Sequence, residues 1–254
     1  MESIAITLDA VCLASRIILE SGGETYRAEE TVERMCHGLH IPYVEVLALP
    51  TGLMLTLMTE DEASISRIVR VRHRSTDLKR VDDCNAISRK VASGEMSAQE
   101  ALEMLRKIHC APSLRLPWMV PVGALSAASF TIMLGGGWLD FCVSFLCGAV
   151  VQLALPVLSR RRMPSMLGGL VVGFLITLIT MISTLFSGNI NIEPIISGAI
   201  MPMLPGLATT NAIRDTIRGD LVSGGARFTE ALLTAVMLAA GICIMLSMWG
   251  GMGL

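Results

Sequence analysis

From Leu116 onward the chain loses the alternation of polar and apolar positions that a water-soluble helix or strand needs. Uncharged stretches run over 116–139, 141–159, 163–192, 194–213 and 231–254. Each is long enough to cross a hydrocarbon core about 30 Å thick, which takes roughly 20 helical residues. A backbone in lipid must satisfy its own hydrogen bonds, so every run is read as helix despite its glycines and valines. The expected spans are 118–135, 139–158, 165–186, 192–210 and 228–249. Trp118, Trp138 and Trp249 fall at span ends, where an amphipathic ring prefers the headgroup layer.

The first half has a different pattern. Ile4, Leu8, Val11 and Ile18 recur at helical spacing, and a second helix follows the interruption at Gly22 and Gly23. Val44, Val46 and Ala48 alternate toward one face, and Pro50 to Gly52 is a turn into LMLTLMT, which predicts a hairpin. SISRIVRVR is read as a third strand. A helix is expected after a cap at Ser75 or Thr76, with Leu78, Val81 and Ile87 inward and a stop at Gly94. Ser97 and Glu100 have capping-box spacing for a last helix ending near Ala111 and Pro112. The predicted fold is an α-helical polytopic membrane protein with five transmembrane helices over 116–254, preceded by a small cytoplasmic α+β domain over 1–115.

Composition sharpens the division. The 254 residues are 52% hydrophobic and 17% charged, with mean hydropathy +0.62. Residues 1–115 carry 14 basic and 17 acidic side chains, whereas 116–254 carry only 6 and 5. Neither half is basic enough for a nucleic-acid surface. The start, MESIAIT, has no basic leader, so a cleavable secretory signal is not expected. Seven cysteines form no CxxC pair, which favours reduced thiols over a disulfide framework.

The charged loops set orientation. Arg160, Arg161 and Arg162 follow the second span, and Arg214, Arg218 and Arg227 follow the fourth. The positive-inside bias places both loops, and with them the amino terminus, in the cytoplasm, and an odd number of spans then puts the carboxyl terminus outside. Arg115 agrees with this.

The fourth span contains the least ordinary segment, EPIISGAIMPMLPGLATTN. Pro202 and Pro205 remove backbone donors, and Gly206 admits close approach or unusual dihedrals, so a kink or unwound turn is expected. Such breaks form substrate or ion sites in transporters, although proline and glycine are also common in ordinary membrane helices. Thr209, Thr210 and Asn211 follow at once and favour a functional break. Glu193 near the outer end is compatible with a proton carrier or with a solvated interface glutamate. Arg214, Asp215, Arg218 and Asp220 are compatible with a solute gate or a surface loop, and Arg227 with Glu230 is either a gate or a positioning pair.

Gly169 and Gly173, and Ala124 and Ala128, have the spacing of close helix contacts, within the chain or with another subunit. No GKS or GKT follows the glycines at 135–137, which argues against a nucleotide-driven pump. Of Cys36, His37 and His40 the first two point in different directions and no fourth ligand is specified, so no metal or cofactor is expected. His73 and Asp77 have no nucleophile motif beside them, and an enzyme is not expected.

GGETYRAEETVERM at 22–35, PTGLMLTL at 50–57, RHRSTDLKRVDDCNAISR at 72–89, GGW at 136–138 and LPGLATTNAIRDTIRGDLVSGGARFTEA at 204–231 together resemble the threonine/serine exporter family, in its shorter split form. The resemblance implies a bacterial inner-membrane secondary exporter, an antiporter of threonine, serine or related metabolites driven by the proton gradient. It also implies a small hydrophobic partner subunit with four or five spans, while a related split pair looks like a succinate exporter. On the family motif Gly23, Glu24, Arg27, Glu30, Asp77, Asn85 and Arg89 are the cytoplasmic-domain residues. Pro205, Gly206, Asn211, Asp215, Gly219, Asp220, Gly225 and Arg227 mark the membrane path. Asn211 is then expected to bind solute, and Asp215 or Asp220 to take part in coupling. A non-transporting scaffold or sensor is the other reading.

Overall fold

The computed structural model describes residues 4–58, 64–112, 116–160 and 165–251. The described residues fall into two compact units: those of Met1–Ser113 together with Ala208–Phe228, and those of Leu114–Leu207 together with Thr229 onward. The chain therefore returns to the polar unit at 208–228, which lies inside the stretch expected to belong wholly to the membrane half.

In the first unit α1 (Ile4–Glu20) is the central helix. It buries Leu8, Val11, Ile17 and Ile18 against α2 (Thr25–Gly38), α3 (Leu78–Ala92), α4 (Ala98–Cys110) and the sheet. The strands β1 (Tyr43–Leu49), β2 (Gly52–Met58) and β3 (Ser64–Arg70) form one antiparallel sheet in the order β1-β2-β3. Its register pairs Ala48 with Leu53 and Leu53 with Val69, so Leu53, Leu55 and Leu57 line the core face. The period of two fixes which face is buried.

The local signals act as chemistry requires, with two differences. Ser97 and Glu100 form the capping box of α4, and Gly94 stops α3 in the left-handed region at φ 75°. The cap of α3 is Asp77, not Ser75 or Thr76: its carboxylate accepts from the Arg80 N–H at 3.2 Å. Leu78, expected in the core, is exposed at the first position of the helix.

The second unit contains α5 (Leu116–Met133), α6 (Trp138–Arg160), α7 (Ser165–Thr184), α8 (Ile192–Ile200) and most of α10 (Leu221–Gly251). A small core of Ala127, Cys147, Val151, Val172, Ile176, Ile195 and Leu238 holds it together. Its exterior is also apolar, with Val122, Leu146, Leu153, Val236 and Met248 exposed. Helices apolar on every side suit a lipid surround. Among the described residues three helices are long and apolar enough to cross a membrane, up to four when a bent pair is counted as one, and Pro117–Met133 is a shorter apolar helix.

Small residues set the packing distances, as their spacing predicts. A Cβ on Gly173 would collide with the Leu238 carbonyl of α10, and one on Gly169 would stand 3.2 Å from the Thr234 carbonyl. Ala124 is buried against Gly148 of α6. Arg115, Arg161 and Arg162 lie outside the described residues, as does the side chain of Arg160.

Candidate functional site

The fourth apolar run breaks where its prolines stand. α8 ends at Ile200, a 3₁₀ turn spans Met201–Met203, and Leu204 is extended at φ −64° and ψ 137° before α9 (Gly206–Ile217) begins. α8 with its 3₁₀ turn and α9 are bent by 54°. Pro205 causes the interruption in two ways, by lacking an N–H and by excluding the helical conformation at the residue before it. Pro202 sits within the 3₁₀ turn, where its fixed φ is accepted. Gly206 does not play its expected part: its φ is not positive, and nothing lies within 4 Å of where a Cβ would stand.

Beyond the break, α9 is built inside out for a soluble helix. Asn211, Ala212 and Asp215 are buried, with Asn211 3% and Asp215 0% exposed, while Ile213 and Ile217 face outward. The buried polar face is received by residues 22–27. Asn211 Nδ2 donates to the Gly22 carbonyl at 3.0 Å, and Arg227 Nη2 donates to the Gly23 carbonyl at 2.8 Å. Arg214 pairs with Glu24, which also accepts from Arg27 Nε at 2.7 Å. The Arg218 guanidinium lies 3.5 Å from the centroid of the Tyr26 ring, a cation–π contact.

At the centre Arg227 Nε stands 3.2 Å from Asp215 Oδ2, with both side chains almost fully withdrawn from water. Thr25, at the first turn of α2, is completely buried, and neither its hydroxyl nor the Asp215 carboxylate has a hydrogen-bond partner among the described residues. The sequence positions the receiving segment: Gly22 has φ 81°, which favours glycine, and a Cβ on Gly23 would come within 2.6 Å of Ile18 Cγ2. Burial pushes the Glu24 carboxyl up, but the hydrogen bond from Arg27, its own backbone and the charges of Arg27 and Arg214 outweigh burial and hold it below the usual value.

The remaining expected residues are distributed elsewhere. Thr209 is half-buried and Thr210 exposed on α9, and Gly219 ends that helix at φ 96°. Asp220 precedes α10, with its N–H donating to the Asp215 carbonyl at 2.9 Å. Gly225 is exposed within α10, and Glu230 is half-buried farther along it. Glu193 is exposed in the first turn of α8. Glu30 is exposed and paired with Arg34, Asp77 caps α3 and pairs with Arg80, Asn85 is buried on α3, and Arg89 is exposed near its end. The helix that contains the expected fifth span starts at Leu221, so Arg227 lies inside α10.

Several participants were not legible beforehand. Tyr26 and Thr25 stand in the GGETYR motif but carry no charge to single them out. Asp140 is 1% exposed at the start of α6 and accepts from the Gly137 N–H at 2.8 Å, the Asn191 N–H at 2.9 Å and Asn191 Nδ2 at 3.0 Å. It thereby pins the beginning of α6 to the beginning of α8, and its first-turn position beside a glycine run was the available signal. Cys36 is buried, which pushes its thiol up to about 12, while His37 and His40 are exposed. Among the described residues no group of three or more His, Cys, Asp or Glu is placed to hold a metal.

The chain is 22% identical over 241 residues to a probable threonine/serine exporter of Mycobacterium tuberculosis, covering 94% of this chain and 45% of that protein. It is 24% identical over 240 residues to the threonine/serine exporter of Corynebacterium glutamicum, covering 91% of this chain and 49% of that one. A probable succinate transporter subunit of Klebsiella aerogenes is 24% identical over 238 residues, with 92% of this chain and 90% of the relative covered. The chain thus spans about half the length of the two exporters. No solved structure matches. Residues 9–249, through both units, match the family described as "Putative threonine/serine exporter", and the chain, with its α+β domain and apolar helix bundle, belongs to that family of transporters.

Proposed function

We propose that this chain is one subunit of a bacterial inner-membrane secondary exporter, with threonine or serine as cargo and inward proton movement as the driving force. The observation that carries the reading is the broken helix leading directly into α9, whose Asn211, Arg214 and Asp215 are held by the polar unit. Breaks of this kind release backbone dipoles for a solute. One charge crossing the membrane potential supplies about 2.3 kcal/mol per 100 mV, enough for a cycle without nucleotide hydrolysis.

The chain crosses the membrane five times in this reading, with its amino terminus in the cytoplasm and its carboxyl terminus outside. α8 and the 3₁₀ turn together span only about 20 Å, so the fourth crossing includes the break and the first turn of α9. A small membrane subunit with four or five spans completes the pathway, in keeping with the chain's half-length coverage of the exporters.

Coupling is assigned to the Asp215 and Arg227 pair. A proton on Asp215 cancels the charge that faces Arg227, and Arg227 also donates to the Gly23 carbonyl, so the change reaches the segment that holds α9. Asn211 binds solute when it leaves the Gly22 carbonyl. Succinate is the alternative cargo, supported by the succinate transporter subunit that aligns over most of its length and by the arginines of α9.

The test is reconstitution of this chain, its partner and the pair, with gradient-dependent flux of serine, threonine and succinate measured for each. The pair alone is expected to transport. Absence of flux for every solute in a folded pair would contradict the proposal and favour a scaffold or sensor.

A further inference from the structure

The outer face of α9 poses a separate question. A helix that belongs to a polar unit ordinarily buries its apolar side and wets its polar side. Here Asn211 and Asp215 are buried, while Ile213 is exposed and Ile217 is 79% exposed. Leu221 and Val222, at the start of α10, are exposed as well. Arg214 and Arg218 flank it, and with Thr210, Ile213 and Ile217 they line a shallow groove of about 300 Å³ that contains no acidic side chain.

Two features point to the occupant. By chain continuity α9 is tied to apolar helices at both ends: two residues separate it from the 3₁₀ turn after α8, and three separate it from α10. It is thereby confined near the level where those helices leave the hydrocarbon. The groove's charge is purely cationic, and Glu24, the acid paired with Arg214, is already shared with Arg27. Isoleucines between arginines match a surface that is apolar below and anionic above, the chemistry of an acidic-phospholipid headgroup layer.

We infer that α9 is an inverted amphipathic helix whose Ile213 and Ile217 face rests in the headgroup layer, with Arg214 and Arg218 holding anionic phospholipid. The inference rests on the membrane placement proposed above. In this arrangement the lipid secures one side of the helix and residues 22–27 secure the other, so the acidic-lipid content of the leaflet bears on how readily α9 moves.

The test uses the full chain in vesicles of phosphatidylcholine, with and without phosphatidylglycerol. The exposed thiols are first removed by Cys110→Ser, Cys142→Ser and Cys243→Ser, leaving described cysteines that are buried. A bimane fluorophore is then attached at Ile217→Cys or, as a control, at Met248→Cys on the exposed apolar surface of α10. Quenching by lipid-borne and by aqueous quenchers is compared.

At 217 the expected result is quenching by lipid-borne quencher, shielding from aqueous quencher, and a stronger lipid signal with phosphatidylglycerol. Arg218→Gln, with Arg214→Gln as a second variant, is expected to lower the phosphatidylglycerol preference about fivefold, since a basic residue near an anionic surface contributes about that factor. Three results would overturn the inference: aqueous quenching at 217, shielding there without lipid quenching because protein covers the face, or equal signals in both vesicles. Lipid quenching at 248 without it at 217 rejects the inference and leaves the membrane reading standing, whereas no lipid quenching at either position rejects both.

Discussion

Arg227 and Asp215 illustrate what a buried ion pair does at the scale of single residues. Desolvating both charges costs several kcal/mol, recovered only while each faces the other, so removing one partner is far more damaging than removing both. Asp215→Asn is therefore expected to destabilise the solubilised protein by about 3–5 kcal/mol. Asp215→Asn with Arg227→Gln should recover much of that loss, as thermal unfolding would measure; equal loss in the single and double variants would contradict the pairing. Glu24 gives the pH dependence. Its native carboxyl titrates below the usual value near 4.5, so its contribution is fully present above that value and is lost as pH falls through the lower native one. The stability difference between wild type and Glu24→Gln should accordingly shrink on acidification, and a constant difference would exclude the role. Glu24, Arg27, Asn211, Arg214, Asp215 and Arg227 were each identifiable in the sequence by charge, amide chemistry or family motif. That 22–24 meets 211–227 was not, because contacts across 189 to 204 residues leave no local spacing to read.

Elements were legible where backbone chemistry is local. The alternation of Val44, Val46 and Ala48 specified β1, and Ser97 with Glu100 specified the start of α4. Ser97→Ala is expected to cost about 1 kcal/mol of stability in unfolding measurements, the usual value of a lost helix cap. The cap of α3 was misplaced because Ser75, Thr76 and Asp77 are all capping residues in sequence, and only the tertiary position of the chain selects Asp77. At the broken helix the prolines gave the location but not the shape. Pro205→Ala restores an N–H and frees Leu204 to become helical, which should straighten the passage and lower flux while leaving assembly with the partner intact. Unchanged flux would show that the interruption is only structural. α9 was hidden for a further reason: its charged residues read as a loop, while its helical period places Asn211 and Asp215 on one buried side and Ile213 and Ile217 on the other.

For the whole molecule, charge content divides the chain into a polar first part and an apolar second part, and the contacts divide it differently. Residues 208–228 belong with the first unit, and α10 passes without interruption from that unit into the second. A linear scan assigns a segment to its sequence neighbours, whereas a buried polar face is assigned by whatever satisfies it. In the proposed mechanism this continuity carries a change at Asp215 and Arg227 to the apolar helices through the backbone itself. The most direct measurement of that claim compares solute flux under imposed pH gradients in vesicles holding the reconstituted pair, with wild-type chain or with Asp215→Asn and Arg227→Gln together. The account predicts that flux follows the gradient in the wild type and becomes indifferent to it in the folded double variant. Gradient dependence of equal steepness in both would contradict it.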